Sequence, residues 1–195
     1  RQKDIALTSP FQNTKSVTVL QGEYKVSKDP SVVFSTVLGS CIAACIYDER
    51  NGIGGMNHFL LASSSANTAK SARYGIHAME MLINGLMKKG ADRRVLKAKV
   101  FGGAKMSANL HDIGGNNADF VQQFLQDEGI PVVSSSVGGN SARRVRFHPV
   151  TGKAQGTHVA NDRQLGEQER AAARRPAPAP APAAAAAAPG DVTLF

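Results

Sequence analysis

The sequence predicts an α/β (α+β) fold, a layered sandwich with a mixed β-sheet. Three observations lead to this fold class: predicted strands outnumber predicted helices, several connections are short enough for hairpins, and no internal repeat is visible. The chain has 195 residues, of which 42% are hydrophobic and 19% charged, so it can bury a sizeable core. These proportions exclude a wholly disordered chain.

Short apolar runs bounded by turn residues predict seven strands, at residues 17–20, 31–38, 41–47, 55–62, 95–101, 130–135 and 144–150. Residues 67–89 predict a helix that ends at Gly90, because apolar residues recur there at helical spacing: Ala72, Ile76, Met79, Ile83 and Leu86. A second helix, 118–128, is expected to end at Gly129 and to bury Phe120, Val121, Phe124 and Leu125.

Residues 30–47 carry no charge over 18 positions, about the shortest length that spans a bilayer as a helix. Pro30, Gly39 and several hydroxyl residues would make that helix a poor one. We therefore predict two buried strands around a tight polar turn, with no membrane insertion. No signal-peptide pattern follows the first residues, so a cytoplasmic protein is expected.

The chain divides into a folded domain, residues 1–159, and an Ala/Pro-rich tail, residues 160–195. Five of the nine prolines lie between Pro176 and Pro189, alternating with alanine, and this pattern favours an extended spacer. Residues 161–175 predict either a short exposed helix or no regular structure. The last five residues, 191–195, could be a frayed terminus or a short docking peptide.

The net charge of +8 belongs to the folded domain, because the tail carries four acidic and four arginine residues. Basic residues cluster at Lys88, Lys89, Arg93, Arg94, Lys97 and Lys99, and again at Arg143, Arg144, Arg146 and Lys153. We expect a solvated basic face. Nucleic acid is the generic partner of such charge, but no aromatic stacking platform accompanies it and tryptophan is absent, so we predict no nucleic-acid binding.

Cys41 and His58 combine a potential nucleophile with a potential base across a predicted hairpin. If the loop is residues 48–51, positions pair when their numbers add to 99, and the two side chains lie opposite each other with Cβ atoms about 4.5–5.5 Å apart. If the loop is two residues longer, His58 faces Ala43 and still shares the face of Cys41, because strand side chains repeat every two residues. A one-residue slip or bulge would separate them.

A thiol beside an imidazole is the arrangement that attacks an amide or ester carbonyl. Such a base needs a third group to hold its ring, and the hydroxyls of Ser35 and Thr36 are available at the end of the preceding strand. Gly39 and Ser40 allow a tight turn whose amide N–H groups could hold an oxyanion. A lone cysteine is otherwise more often a small buried hydrophobe, as we expect for Cys45.

Two blocks, residues 36–48 (TVLGSCIAACIYD) and 54–61 (GGMNHFLL), resemble the chemoreceptor glutamine deamidase family, CheD. Further similarity lies at residues 74–75, 99–104, 130–133 and 143–152, so the resemblance runs from about residue 17 to residue 155. It implies a sandwich fold similar to that of deamidating toxins. It also implies conversion of receptor glutamines to glutamates by a Cys, a His and a Thr, without metal or organic cofactor.

Carried over by position, the resemblance makes Cys41 the nucleophile and His58 the base. The third position falls on Ser35 where the family usually has Thr, which leaves the orienting role open between Ser35 and Thr36. The implied partners are the cytoplasmic domain of a chemoreceptor and a CheC-type phosphatase. A non-catalytic signalling adaptor and a cysteine protease are the alternative functions. The other four histidines (His77, His111, His148 and His158) show no metal-ligand spacing, and we expect solvated or core roles for them.

Overall fold

The computed structural model describes residues 11–61, 68–106 and 113–159. Within these residues, two β-sheets and a pair of helices form three layers. The strands are β1 (Lys15–Thr18), β2 (Tyr24–Ser27), β3 (Val32–Leu38), β4 (Ile42–Asp48), β5 (Ile53–Asn57), β6 (Lys97–Gly102), β7 (Val132–Val137), β8 (Arg143–Phe147) and β9 (Ala154–His158). The helices are α1 (Thr68–Lys88) and α2 (Ile113–Asp127), with a short 3-10 helix at Arg93–Val95.

Both sheets are mixed, as the sequence predicted. The smaller sheet has the strand order β1-β3-β8-β9, with β1 and β3 parallel and the other pairs antiparallel. The larger sheet has the order β2-β5-β4-β6-β7, and only its β6–β7 pair is parallel. Helix α2 supplies the crossover that this parallel pair requires. The predicted fold class, a layered α+β sandwich, is confirmed.

Strand β4 is buried along its whole length because it is covered on both faces. Ile42, Ala44 and Ile46 pack with the helices, in a core that includes Met79, Leu82, Leu86, Val121 and Leu125. The alternate residues Ala43, Cys45 and Tyr47 face the smaller sheet, in a second core with Phe34, Leu38, Val145 and Phe147. This two-sided burial explains the uncharged stretch at residues 30–47, whose two predicted strands are confirmed as β3 and β4.

Several predicted boundaries were wrong. Strands β2 and β9 were not predicted, because both are short, Tyr24–Ser27 is only half-buried, and Ala154–His158 is polar and largely exposed. Helix α2 begins at Ile113, five residues before the predicted start at residue 118. The prediction missed its first turns because they contain Gly114 and Gly115, which are weak helix formers. Ile76 is 39% exposed, and the buried face of α1 continues through Gly75, Met79 and Leu82 instead.

Part of what was predicted lies outside the described residues: the tail at residues 160–195, the last residue of the strand at 55–62, the first residue of the helix at 67–89, and His111. Across the ranges that are described, no helix has the length and apolar character needed to cross a membrane.

Candidate active site

The loop at residues 39–41 presents Cys41 at the start of β4, and residues 102–104, at the end of β6, hold it in place. The Gly103 N–H donates to the Cys41 carbonyl at 2.8 Å, and the Ala104 N–H donates to the Gly39 carbonyl at 2.7 Å. Gly102 has φ +111°, and a Cβ there would lie 2.1 Å from the Cys41 carbonyl oxygen. Only glycine allows this approach, so the Gly102–Gly103 pair fixes the backbone of the cysteine.

His58 follows β5 directly, on the other arm of the hairpin, but the register differs from the first one predicted. Asp48 pairs with Ile53 and Ile42 bridges to Phe59, so paired positions add to 101 rather than 99. His58 therefore stands opposite Ala43, which is the alternative register considered above, and Cys41 lies diagonal to it. The strands stay paired up to Asp48 and Ile53, so the turn is residues 49–52, one position further along the chain than the first prediction. The Asp48 carboxylate accepts the Asn51 N–H at 3.1 Å and stabilises this turn.

Thr36, not Ser35, contacts the imidazole. The Thr36 hydroxyl lies 2.9 Å from His58 Nδ1 and donates to the Val19 carbonyl, also at 2.9 Å. Even-numbered residues of β3 face the larger sheet, as Phe34 and Leu38 do, so alternation turns the Ser35 side chain to the opposite face. The structure thus brings Cys41, His58 and Thr36 into one buried layer between the sheets and leaves the Ser35 hydroxyl out of it.

The neighbours of His58 Nδ1 determine which ring nitrogen carries the proton. The Val19 carbonyl oxygen lies 3.3 Å from Nδ1 and can only accept a hydrogen bond. The Thr36 hydroxyl donates its proton to the same carbonyl, so its oxygen can only accept a hydrogen bond from Nδ1. Both contacts favour the tautomer with Nδ1–H, which leaves the basic lone pair on Nε2.

The segment from Val19 to Glu23 touches both the base and the nucleophile, which sequence reasoning missed. The Gly22 N–H donates to the His58 carbonyl at 2.7 Å, and the His58 N–H donates to the Glu23 carbonyl at 3.0 Å. The Cys41 thiol donates to Gln21 Oε1 at 3.5 Å. No spacing in the sequence links these residues, because β2 reaches the hairpin only through pairing with β5.

Tyr74, on α1, is a second neighbour of the cysteine that sequence reasoning did not place at the site. Burial raises the pKa of the Tyr74 phenol, and the charge of an ionised Cys41 raises it further. The Tyr74 hydroxyl also lies 3.7 Å from the position that a Cβ on Gly22 would take. Helix α1 therefore places the Tyr74 hydroxyl beside the turn that contains Gln21 and Gly22. The thiol itself is well covered, since Cys41 is only 1% exposed.

Asn117, a fully buried residue of α2, connects the helix layer to the active-site loop. Its carboxamide donates to the Ser40 carbonyl at 3.0 Å and accepts the Leu61 N–H at 2.8 Å. Ser40 directly precedes the cysteine, and Leu61 lies three residues after His58. One side chain thus ties together both arms that carry the candidate nucleophile and base.

The contacts of Cys45 and His148 are structural, as the sequence predicted. Cys45 is fully buried in the core between the sheets, and burial raises the pKa of its thiol, so it stays uncharged at neutral pH. His148 Nε2 lies 2.9 Å from the Pro30 carbonyl, and its Nδ1 accepts the Thr151 N–H at 3.3 Å. In the part of the chain that the structure describes, no three His, Cys, Asp or Glu side chains are grouped to hold a metal.

The solvated basic face that the sequence predicted is interrupted, because some of its basic residues are buried or paired with carboxylates. Arg143 is 4% exposed and donates to the carbonyls of Ser136 and Gly138, so it holds the chain around β7 and β8 together rather than facing solvent. Burial lowers the pKa of its guanidinium. Arg93, Arg94 and Lys97 each form an ion pair, with Glu128, Asp92 and Glu49 respectively. The clusters seen in the sequence are therefore partly structural and partly neutralised.

Together these contacts form a covered thiol, an imidazole on the adjacent hairpin arm with its lone pair on Nε2, and a hydroxyl behind the ring. Such a set can deprotonate a thiol and support nucleophilic attack on a carbonyl carbon.

The chain matches the family model described as CheD chemotactic sensory transduction over residues 60–158. It is 76% identical over 169 residues to "Probable chemoreceptor glutamine deamidase CheD 1" of Ruegeria sp. (strain TM1040), covering 87% of this chain and 90% of that protein. It is 57% identical over 142 residues to "Probable chemoreceptor glutamine deamidase CheD" of Agrobacterium fabrum (strain C58 / ATCC 33970), covering 72% and 78%. It is 54% identical over 181 residues to the protein of that name from Caulobacter vibrioides (strain NA1000 / CB15N), covering 92% of each.

Among solved structures, the chain matches the Bacillus licheniformis hypothetical protein YfiH with a TM-score of 0.41 and 14% identity, over 58% of this chain and 49% of that chain.

Proposed function

This chain belongs to the CheD family, and on that premise we propose that it deamidates glutamine side chains of bacterial chemoreceptors. The activity is that of a protein-glutamine glutaminase, in which a carboxamide and water give a carboxylate and ammonia. The name that the relatives carry, probable chemoreceptor glutamine deamidase, supports the reaction and its substrate. The single observation that carries the proposal is the hydrogen-bonded Thr36–His58 pair in the layer that also holds Cys41.

In the proposed mechanism, His58 Nε2 takes the proton of the Cys41 thiol, and the thiolate attacks the side-chain carbonyl carbon of a receptor glutamine. Backbone N–H groups around residues 39–41 stabilise the resulting oxyanion. The C–N bond then breaks, and ammonia leaves with the proton that His58 returns. Water, deprotonated by His58, hydrolyses the thioester and releases glutamate and the free thiol.

Thr36 is the third member of the proposed site, and Ser35 is not. The Thr36 hydroxyl accepts from Nδ1–H, so it keeps the ring in one orientation and the lone pair on Nε2. The resemblance implies a threonine in this role, and Thr36 supplies one whose rotamer the methyl group restricts. We propose no metal or organic cofactor for this chemistry, because the thiol, the imidazole and water account for every bond that changes.

The proposed partner is the cytoplasmic domain of a chemoreceptor, which places the protein in the cytoplasm. The net charge of +8 favours approach to an acidic helical surface. We assign the activity to the domain at residues 1–159, which contains Cys41, His58 and Thr36. A CheC-type phosphatase is the second partner that the resemblance implies, and binding it would regulate receptor signalling together with deamidation.

The test is peptide mass spectrometry of a chemoreceptor cytoplasmic fragment incubated with the protein, with ammonia release measured in parallel. Cys41→Ala is the active-site variant and Cys45→Ala is its matched control, since both cysteines are buried and face the same side of the same sheet. We expect conversion of glutamine to glutamate with the wild type and with Cys45→Ala, and none with Cys41→Ala.

Other outcomes would favour the alternatives. Cleavage of the receptor backbone without loss of ammonia would identify a cysteine protease. Receptor binding without conversion on several receptors would identify a signalling adaptor. Conversion that persists in Cys41→Ala would refute the thiol mechanism.

A further inference from the structure

Gln21 places a carboxamide against the candidate nucleophile, a contact that the mechanism above does not use. The Cys41 thiol donates to Gln21 Oε1 at 3.5 Å. We propose that Gln21 is a further catalytic residue, whose side-chain N–H donates to the oxyanion formed on the substrate carboxamide. This inference rests on the proposed deamidation and identifies a side-chain donor for it.

A tight turn holds residue 21 in place. The Glu23 N–H donates to the Leu20 carbonyl at 2.9 Å, and Gly22 has φ +88°, the geometry of a type II turn with Gln21 at its first corner. The turn is fastened to His58 on both sides, through the Gly22 N–H at 2.7 Å and the Glu23 carbonyl at 3.0 Å. The position of Gln21 relative to the base is therefore set by backbone hydrogen bonds.

The oxyanion forms within reach of this side chain. In the tetrahedral intermediate, the negatively charged oxygen is bonded to the carbon that Cys41 Sγ has attacked, so it lies two bonds from the sulfur. A group in hydrogen-bond contact with Sγ is consequently close enough to reach that oxygen by rotation of its side chain. Oxyanion holes are built from backbone N–H groups and from side chains such as asparagine and glutamine, worth about 10²–10³ in kcat per donor.

A carboxamide can serve both states of the thiol. It carries one acceptor oxygen and two N–H donors, and its terminal torsion is broad and nearly two-fold. In the resting protein, Gln21 Oε1 accepts from the thiol. Once His58 has removed the thiol proton, rotation of the amide presents N–H to the thiolate and then to the oxyanion. Cys41 is only 1% exposed, so the entering substrate must displace the Gln21 side chain from the thiol. The displaced carboxamide is then already beside the reacting atoms.

The test measures steady-state deamidation of a chemoreceptor fragment by the full-length protein carrying Gln21→Met or Gln21→Glu. Methionine keeps the length but removes the donors, and glutamate replaces them with a charge that repels the oxyanion. We expect kcat to fall by about 10²–10³ in both, with KM little changed. Thermal unfolding should be unaffected, because Gln21 is exposed, and Gln122→Met, at an exposed glutamine of α2, is the matched control.

A pH series gives a readout that a merely structural role would not move. As the pH falls toward the pKa of the introduced carboxyl group, Gln21→Glu regains an O–H donor, so its rate relative to wild type should rise. Gln21→Met has no titrating group, and its rate relative to wild type should stay constant.

Four results would overturn the proposal. Wild-type kcat in both variants would make Gln21 a cover only, and a loss confined to KM would make it a substrate-binding residue. Glutamate at position 21 in the purified wild type, but not in Cys41→Ala, would make the side chain a substrate rather than a donor. A wild type inactive on receptors would remove the proposed function and this inference together, whereas an active wild type with active variants removes this inference alone.

Discussion

Replacing Thr36 with valine tests the proposed role of the hydroxyl behind the imidazole. Valine has nearly the shape of threonine, so the substitution removes the hydroxyl and little else from the core between the sheets. His58 Nδ1–H would lose the 2.9 Å contact with the hydroxyl and keep the longer, 3.3 Å contact with the Val19 carbonyl. We expect deamidation to slow because the ring is less firmly held with its lone pair on Nε2.

The magnitude follows from the charge that His58 gains when it takes the thiol proton. A hydrogen bond to a charged group is worth about 1.5–3 kcal/mol. At about 1.36 kcal/mol per tenfold change in rate, its loss should lower kcat roughly 10- to 150-fold. The folded state should lose about 2 kcal/mol, because the hydroxyl makes two neutral hydrogen bonds with a net value of about 1 kcal/mol each.

The assay compares three variants on the same chemoreceptor fragment, with urea unfolding of each. Thr36→Ser keeps the hydroxyl and should retain most of the activity. Ser35→Ala is the matched control, because residue 35 lies on the other face of β3, one position away. Its activity and stability should equal those of the wild type.

Two results would refute the reasoning. Wild-type kcat in Thr36→Val would show that the hydroxyl does not position the base. A loss in Ser35→Ala as large as that in Thr36→Val would show that strand alternation has been assigned wrongly at β3.

Three further predictions concern the support of the site. Asn117→Ala should destabilise the protein by about 2–4 kcal/mol in urea unfolding and slow deamidation, because the peptide groups of Ser40 and Leu61 lose a buried partner; an unchanged midpoint would contradict this. Cys45→Ala should cost about 1 kcal/mol but leave the deamidation rate unchanged, since burial raises the pKa of that thiol and keeps it unreactive. Burial alone would raise the pKa of Asp48, but hydrogen bonds from neighbouring N–H groups outweigh it and hold the pKa below 3.8, so its stabilising effect is present above that pH and lost below it. Urea midpoints should therefore fall as the pH is lowered through about 4 and below, and Asp48→Asn should flatten part of that fall.

The sequence predicted the fold class and most of the larger elements from local patterns. The uncharged run at residues 30–47 is long and apolar because its strands are covered from both sides, and that pattern is visible without a structure. Short edge strands such as β2 and β9 carry no such signal, since neither contains a fully buried residue. They form because neighbouring strands offer hydrogen bonds, which a local pattern does not report.

The sequence by itself placed Cys41 and His58 on one predicted hairpin, on a shared face in both registers considered, because strand side chains repeat every two residues. The observed pairing of β4 with β5, in which positions add to 101, then excluded the one-residue slip that would have separated them. Only the tertiary structure decided the rest of the site. Thr36 rather than Ser35 meets the imidazole because the second sheet covers one face of β3. Gln21 reaches the thiol because β2 pairs with β5, a contact between residues far apart in sequence. Long-range pairing and the choice of the covered face are settled by packing, and packing depends on the whole chain at once.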